Sequence, residues 1–130
     1  MAHKGKILIV DDEASVRNLF QSVFAEAGYD VFLAEGGNDA LVILKMHDIN
    51  VIFLDLKLFG MNGIELCHQI RKTKPVSMIY AMTGWSALFE VAECREAGFD
   101  DYFEKPLDME MILVLVGQAF ERLERWEKRC

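Results

Sequence analysis

The sequence predicts an α/β domain built on a doubly wound, five-stranded parallel sheet. Three observations carry that expectation. Short β-rich runs alternate with helical patterns five times in succession. The runs are apolar almost throughout, as in Ile7-Leu8-Ile9-Val10 and Val51-Ile52-Phe53-Leu54, which suits strands covered on both faces. Right-handed crossovers between successive parallel strands then distribute the helices over both sides of the sheet.

The elements follow in order. Lys6 to Val10 form the first strand, and Val16, Leu19, Phe20, Val23, Phe24 and Ala27 keep helical spacing until Gly28 stops the helix. Tyr29 to Ala34 read as the second strand, Gly36-Gly37-Asn38 as a turn, and Asp39 to Met46 as the second helix. Asp48 to Asp55 hold the third strand. Asn62-Gly63-Ile64-Glu65 has the form of a capping box, opening a helix that runs to about Lys72. Pro75 breaks the chain before the fourth strand, Met78 to Met82; Ser86 to Ala97 suit a helix closed by Gly98. Phe99 to Glu104 make the fifth strand, and a last helix runs from near Asp108 toward Lys128.

Composition bounds the function classes. With 130 residues, 52% of them hydrophobic and 27% charged, the chain has enough apolar material for one globular domain. No apolar run approaches the roughly 20 residues of a membrane span, and the amino terminus leads directly into a strand with no signal-peptide pattern, so a cytoplasmic location is expected. A net charge of -7 argues against direct nucleic-acid binding. Cys67, Cys94 and Cys130 lack CxxC spacing and read as reduced thiols, and His3, His47 and His68 are too scattered for a metal site.

The chemistry lies at the strand ends. Asp11 and Asp12 follow the first strand, Asp55 ends the third, Thr83 follows the fourth, and Lys105-Pro106 follow the fifth. In an open parallel sheet these ends share one edge, the edge at which ligands bind. A carboxylate at the end of a buried strand is costly unless that end opens into a site. Three clustered carboxylates would raise one another's pKa values, and a divalent cation relieves them; hard oxygen ligands at an accessible edge favour Mg²⁺. A carboxylate beside a metal, an ammonium group and a hydroxyl suits phosphoryl transfer, with Asp55 as nucleophile and Lys105 and Thr83 stabilising the transferring oxygens. No GxxxxGK[ST] loop is present, which excludes a P-loop nucleotide site.

Over residues 5 to 120 the sequence resembles the receiver domains of bacterial two-component response regulators. The resemblance rests on Ile7-Leu8-Ile9-Val10-Asp11-Asp12-Glu13, on Asp48 through Asp55, on Met61-Asn62-Gly63, on Thr83-Gly84 and on Lys105-Pro106. It implies a flavodoxin-like (βα)5 fold with strand order 2-1-3-4-5, spanning residues 1–120, with 121–130 as an extension of the last helix. It implies that Asp55 accepts a phosphoryl group from a histidine kinase or histidine phosphotransfer protein. Asp12 would bind Mg²⁺ directly, Asp11 largely through water, and Lys57 through its backbone carbonyl, with Asp55 completing the site. Thr83 and Lys105 would contact the phosphoryl group, and the Lys105–Pro106 bond would be cis. Tyr102 matches the aromatic switch residue that turns inward as the Thr hydroxyl moves, repacking the surface of helix four, strand five and helix five for a downstream protein or a fused output domain.

Three positions depart from the family pattern. Phe59 stands four residues after Asp55, where Pro is common. Lys57 and Trp85 each lie two residues past Asp55 and Thr83, flanking the path of a hydrolytic water, and Trp85 is expected to shield the acyl phosphate. In the last helix Ile112, Leu113, Val116 and Phe120 suit packing on the sheet, and the stripe continues through Leu123 and Trp126 among charged residues. That continuation reads either as a long surface helix or as a dimerisation seam or connector; a homodimer through helices four and five, or through the extension, is the corresponding partner expectation. Two other functions stand beside the switch. An Asp-nucleophile phosphohydrolase would place its nucleophile after the first strand in an Asp-x-Asp motif, which Asp55-Leu56-Lys57 does not match. A static binding module would not need all five site residue types.

Overall fold

The structure, a computed structural model, describes residues 4–58, 60–84 and 88–129. Among the described residues ten elements alternate: β1 (Lys6–Val10), α1 (Ala14–Glu26), β2 (Asp30–Ala34), α2 (Gly37–Met46), β3 (Val51–Asp55), α3 (Gly63–Thr73), β4 (Met78–Thr83), α4 (Leu88–Ala97), β5 (Asp101–Glu104) and α5 (Met109–Arg129). The strands form one parallel sheet in the order β2-β1-β3-β4-β5, as expected.

The apolar strands divide their side chains between two cores, because successive residues of a strand point to opposite faces. Leu8, Val10, Ile52, Leu54, Ile79 and Ala81 face α2, α3 and α4, meeting Leu66, Cys67, Ile70 and Cys94. Ile7, Ile9, Val51, Phe53, Tyr80 and Met82 face α1 and α5, meeting Phe20, Phe24, Ile112 and Val116. On this second side Phe53 is the centre of an aromatic cluster, with ring centroids 5.3 Å from Phe20 and 5.0 Å from Tyr80.

Several boundaries move, those of β2 and β3 for a local hydrogen-bonding reason. Tyr29 is not in β2: its N–H returns to the Phe24 carbonyl while the Gly28 N–H returns to Ala25, a helix-ending pair that needs the left-handed φ of +99° at Gly28. β3 begins at Val51 rather than Asp48, since Asp48 and Asn50 are joined side chain to side chain in the preceding turn. β5 begins at Asp101 rather than Phe99, and α2 begins at Gly37 rather than Asp39. At α3 the expected N-cap is made, Asn62 Oδ1 accepting from the Glu65 N–H at 2.8 Å. The start of the helix expected from Ser86 lies outside the described residues, as do Phe59 and Trp85.

α5 also differs in reach. Leu123 is only 7% exposed and belongs to the core against the sheet, whereas Trp126 is 50% exposed. The packing stripe therefore extends past Phe120 to Leu123, within one unbroken helix.

At the end of the sheet away from Asp55, Arg71 of α3 clamps two segments, the α3–β4 and α4–β5 connections. Its Nε donates to Gly98 O at 2.8 Å, its Nη1 to the carbonyls of Pro75 and Ser77, and its Nη2 pairs with Asp100 at 2.7 Å. Asp100 in turn accepts from the Ile79 N–H. Removing one guanidinium leaves several partly buried acceptors and a carboxylate without their donors. Arg71→Ala is therefore expected to cost about 2–4 kcal/mol in urea unfolding, and Arg71→Lys to recover little of it, because an ammonium cannot span the same acceptors.

Candidate functional site

The strand register assembles the site. Val10 lies opposite Leu54 and Asp55 opposite Met82, so the residues just past β1, at the end of β3 and at the end of β4 come to one edge. Thr83 pairs with Glu104, which places Lys105 immediately beyond; the Lys105 N–H donates to Thr83 O at 2.7 Å, and the Lys105–Pro106 bond is cis.

Asp11, Asp55 and Thr83 are 0%, 5% and 1% exposed, while Asp12 and Glu13 are exposed. One carboxylate oxygen each from Asp11, Asp12, Glu13 and Asp55 lies within 4.8 Å of the others. Lys105 Nζ reaches into this cluster, 2.8 Å from Asp11 Oδ2, 3.3 Å from Asp55 Oδ2 and 3.4 Å from Glu13 Oε1. The other Asp55 oxygen accepts from the Lys57 N–H at 3.1 Å.

The electrostatics follow from this geometry. Burial pushes the Asp55 carboxyl above its ordinary range; the Lys57 N–H bond opposes that shift, the Asp11 charge adds to it, and Lys105 opposes it. For Lys105 burial works against the ammonium, but the charges of Asp11 and Asp55, with the bond to Asp55, outweigh it and hold the amine protonated well above its usual range. The Lys105 ammonium thus pairs with three carboxylates of a cluster of four.

That excess of negative charge is the first sign that the residues fit a metal ion. The second is Asp11 Oδ2, which is buried and touches Lys105 as an ion pair without hydrogen-bond alignment. The donor set is all oxygen, part buried and part solvent-facing. A hard divalent cation that keeps some of its water matches it.

Of the residues singled out in the sequence, Asp11, Asp12, Asp55 and Lys105 are brought together, and Thr83 sits buried at the adjoining strand end. Lys57 is present through its backbone, with its side chain exposed. Tyr102 is half-buried on β5, its hydroxyl withdrawn from solvent and its ring against the α2–α3–α4 core. Trp85 lies outside the described residues. Glu13 joins the acidic cluster although its role was not expected; its place directly after Asp11-Asp12 was the available signal. Gly63 was also missed as a site residue. Its N–H donates to Leu56 O at 2.9 Å, and a Cβ there would overlap the Asp55 carbonyl oxygen and come within 2.8 Å of Leu56 Cα.

Comparison with known proteins assigns the family. Residues 7–116 match the model of the response regulator receiver domain. The chain belongs to that family. Among curated relatives, this receiver is 38% identical over 116 residues to the aerobic respiration control protein ArcA of Escherichia coli (strain K12), covering 89% of this chain and 48% of ArcA. It is 36% identical over 107 residues to sporulation initiation phosphotransferase F of Bacillus subtilis (strain 168), covering 82% of this chain and 86% of that protein. A crystal structure of a CheY-like response regulator receiver domain protein from Methanospirillum hungatei JF-1 superposes with a TM-score of 0.89 at 26% identity, covering 93% of this chain and 97% of that one. The receiver spans about half the length of ArcA and of several other regulators it matches. Among the described residues no helix is long and apolar enough to cross a membrane.

Proposed function

We propose that this receiver is a phosphorylation switch in which Asp55 is the acceptor. A carboxylate oxygen of Asp55 forms a bond to phosphorus, the P–N bond of a phosphohistidine donor breaks, and the departing imidazole nitrogen takes up a proton. The observation that carries this reading is the convergence of Lys105 on Asp55 and Asp11 from a different strand end. Lys105 and Thr83 would contact phosphoryl oxygens, while the Lys57 N–H bonds the second Asp55 oxygen. Asp12, Asp11, Asp55 and the Lys57 carbonyl would hold Mg²⁺. When bound, that ion supplies charge neutralisation for the transferring group. In the resting state Lys105 is committed to the carboxylates, so phosphorylation redirects its contacts. Repacking through Thr83 and Tyr102 would then alter the α4–β5–α5 surface presented to a downstream protein or output domain.

The donor is a histidine kinase or histidine phosphotransfer protein in the cytoplasm. An open groove of about 560 Å³ that includes Lys105, with Val16, Leu19, Pro106 and Leu107 beside the polar Glu13 and Ser15, would seat it. Residues 121–129 continue α5 beyond the family match and carry exposed Trp126; we read 121–130, of which Cys130 lies outside the described residues, as an extension from the receiver.

Borohydride reduction tests the acceptor assignment directly. It converts an aspartyl phosphate to homoserine, and peptide mass mapping of the phosphorylated receiver should find that conversion at residue 55. Conversion at Asp11 or Asp12 instead would reject the assignment.

A further inference from the structure

We propose that Arg17 is a positioning residue for the metal-binding turn, an inference that rests on the Mg²⁺ reading of the acidic cluster. Arg17 lies in the first turns of α1, and its Nη1 donates to the Asp11 carbonyl oxygen at 2.8 Å. That carbonyl belongs to the peptide joining Asp11 to Asp12, the two residues whose carboxylates flank the expected ion. The second arm of the guanidinium reaches exposed Glu35 just past β2, Nη2 to Oε1 at 3.3 Å. The Arg17 side chain is 15% exposed and Glu35 73%.

The remaining atoms of Asp11 are also tied. Its N–H donates to Ala34 O at 3.1 Å, and its Oδ1 accepts from the Glu13 N–H at 2.9 Å. With N, O and Oδ1 held, the side chain has little freedom and Oδ2 is left aimed into the cluster beside Lys105. Arg17 is thus the side chain that orients the Asp11–Asp12 peptide. Groups that orient metal ligands typically change metal affinity by about ten-fold or more when removed.

The sign of the effect separates positioning from simple charge. Arg17 carries a positive charge close to a cation site, so on Coulombic grounds alone its removal would tighten Mg²⁺ binding. Loss of orientation does the opposite.

The experiment is calorimetric titration of the full chain with Mg²⁺ alone, for wild type, Arg17→Ala, Arg17→Lys and Glu35→Gln, with thermal unfolding in chelator to confirm that each is folded. Arg17→Ala should bind Mg²⁺ about ten-fold more weakly. Arg17→Lys, which can still donate to the Asp11 carbonyl, should recover most of the loss. Glu35→Gln should stay within about two-fold, because an exposed pair contributes little. Equal or tighter binding by Arg17→Ala overturns the proposal, and if that variant does not fold, a ten-fold loss in folded Arg17→Lys without any in Glu35→Gln overturns it too, since Lys keeps the bond that matters. A wild type that binds no Mg²⁺ overturns the metal reading itself, a result distinct from tight binding that is indifferent to Arg17.

Discussion

Asp55→Asn is expected to abolish phosphorylation completely and, in metal-free solution at neutral pH, to melt at a higher temperature than the wild type. The first effect follows from removing the nucleophile, since an amide oxygen does not form the acyl phosphate. The second follows from the resting electrostatics. The folded-state pKa of Asp55 is raised, by burial first and by Asp11 in addition. Between the unfolded carboxyl value of about 3.9 and the raised folded value, the folded state binds more protons than the unfolded one. Wild-type stability therefore falls as pH rises through that window, and the penalty persists above it. Asn carries no charge at any pH and escapes the penalty. Lys105 is not orphaned by the change, because Asp11 remains 2.8 Å away. The stability advantage of the variant should shrink as the pH is lowered and vanish below the unfolded carboxyl range. Thermal unfolding of both proteins across that range checks the sign; a variant less stable than wild type at pH 7 would show that Asp55 is a stabilising partner of Lys105 rather than a strained one.

Gly63→Ala should be the most damaging small substitution near the site. The new methyl would overlap the Asp55 carbonyl oxygen and crowd Leu56 Cα, and both obstacles are backbone, so neither can swing aside. Either α3 lifts away from β3 or the Asp55–Leu56 segment moves. A cost of about 2–3 kcal/mol in urea unfolding is expected, the scale of overpacking a tight contact, despite the better helix propensity of Ala. Because the displaced segment carries the acceptor, the rate of phosphorylation by acetyl phosphate should fall as well, even in protein that remains folded. Gly117→Ala serves as the control: it sits in α5 with open space around the added methyl, and should be neutral or stabilising by up to about 1 kcal/mol. If the two variants unfold alike, the close approach of α3 to β3 is not what requires glycine at 63.

These two residues mark how much of the site could be read from the sequence. Asp55 announced itself because a carboxylate ending Val51-Ile52-Phe53-Leu54 contradicts the apolar run before it. Asp11, Thr83 and Lys105 followed from the same rule applied to other strands, and the shared edge followed from the β-α alternation. Gly63 and Arg17 carry no such signature. The first matters because two backbones nearly touch, the second because a helix side chain reaches back to a carbonyl at a strand end. Both depend on tertiary distances that spacing does not encode. Strand ends shifted for a related reason: Arg71, far from β5 in sequence, engages Asp100 before the ladder begins. Likewise Leu123 looked like part of a stripe running off the domain, and only the packing of α5 on the sheet shows that it is core.

The central claim is metal-dependent phosphorylation at a single aspartate, and intact-protein mass after incubation with acetyl phosphate tests it most directly. Wild type with Mg²⁺ should gain the mass of one phosphoryl group; wild type with chelator and Asp55→Asn with Mg²⁺ should gain none. Equal adduct in the Asp55→Asn variant or in chelator, or no adduct on wild type together with no binding of beryllofluoride as a phosphoryl mimic, would contradict the account.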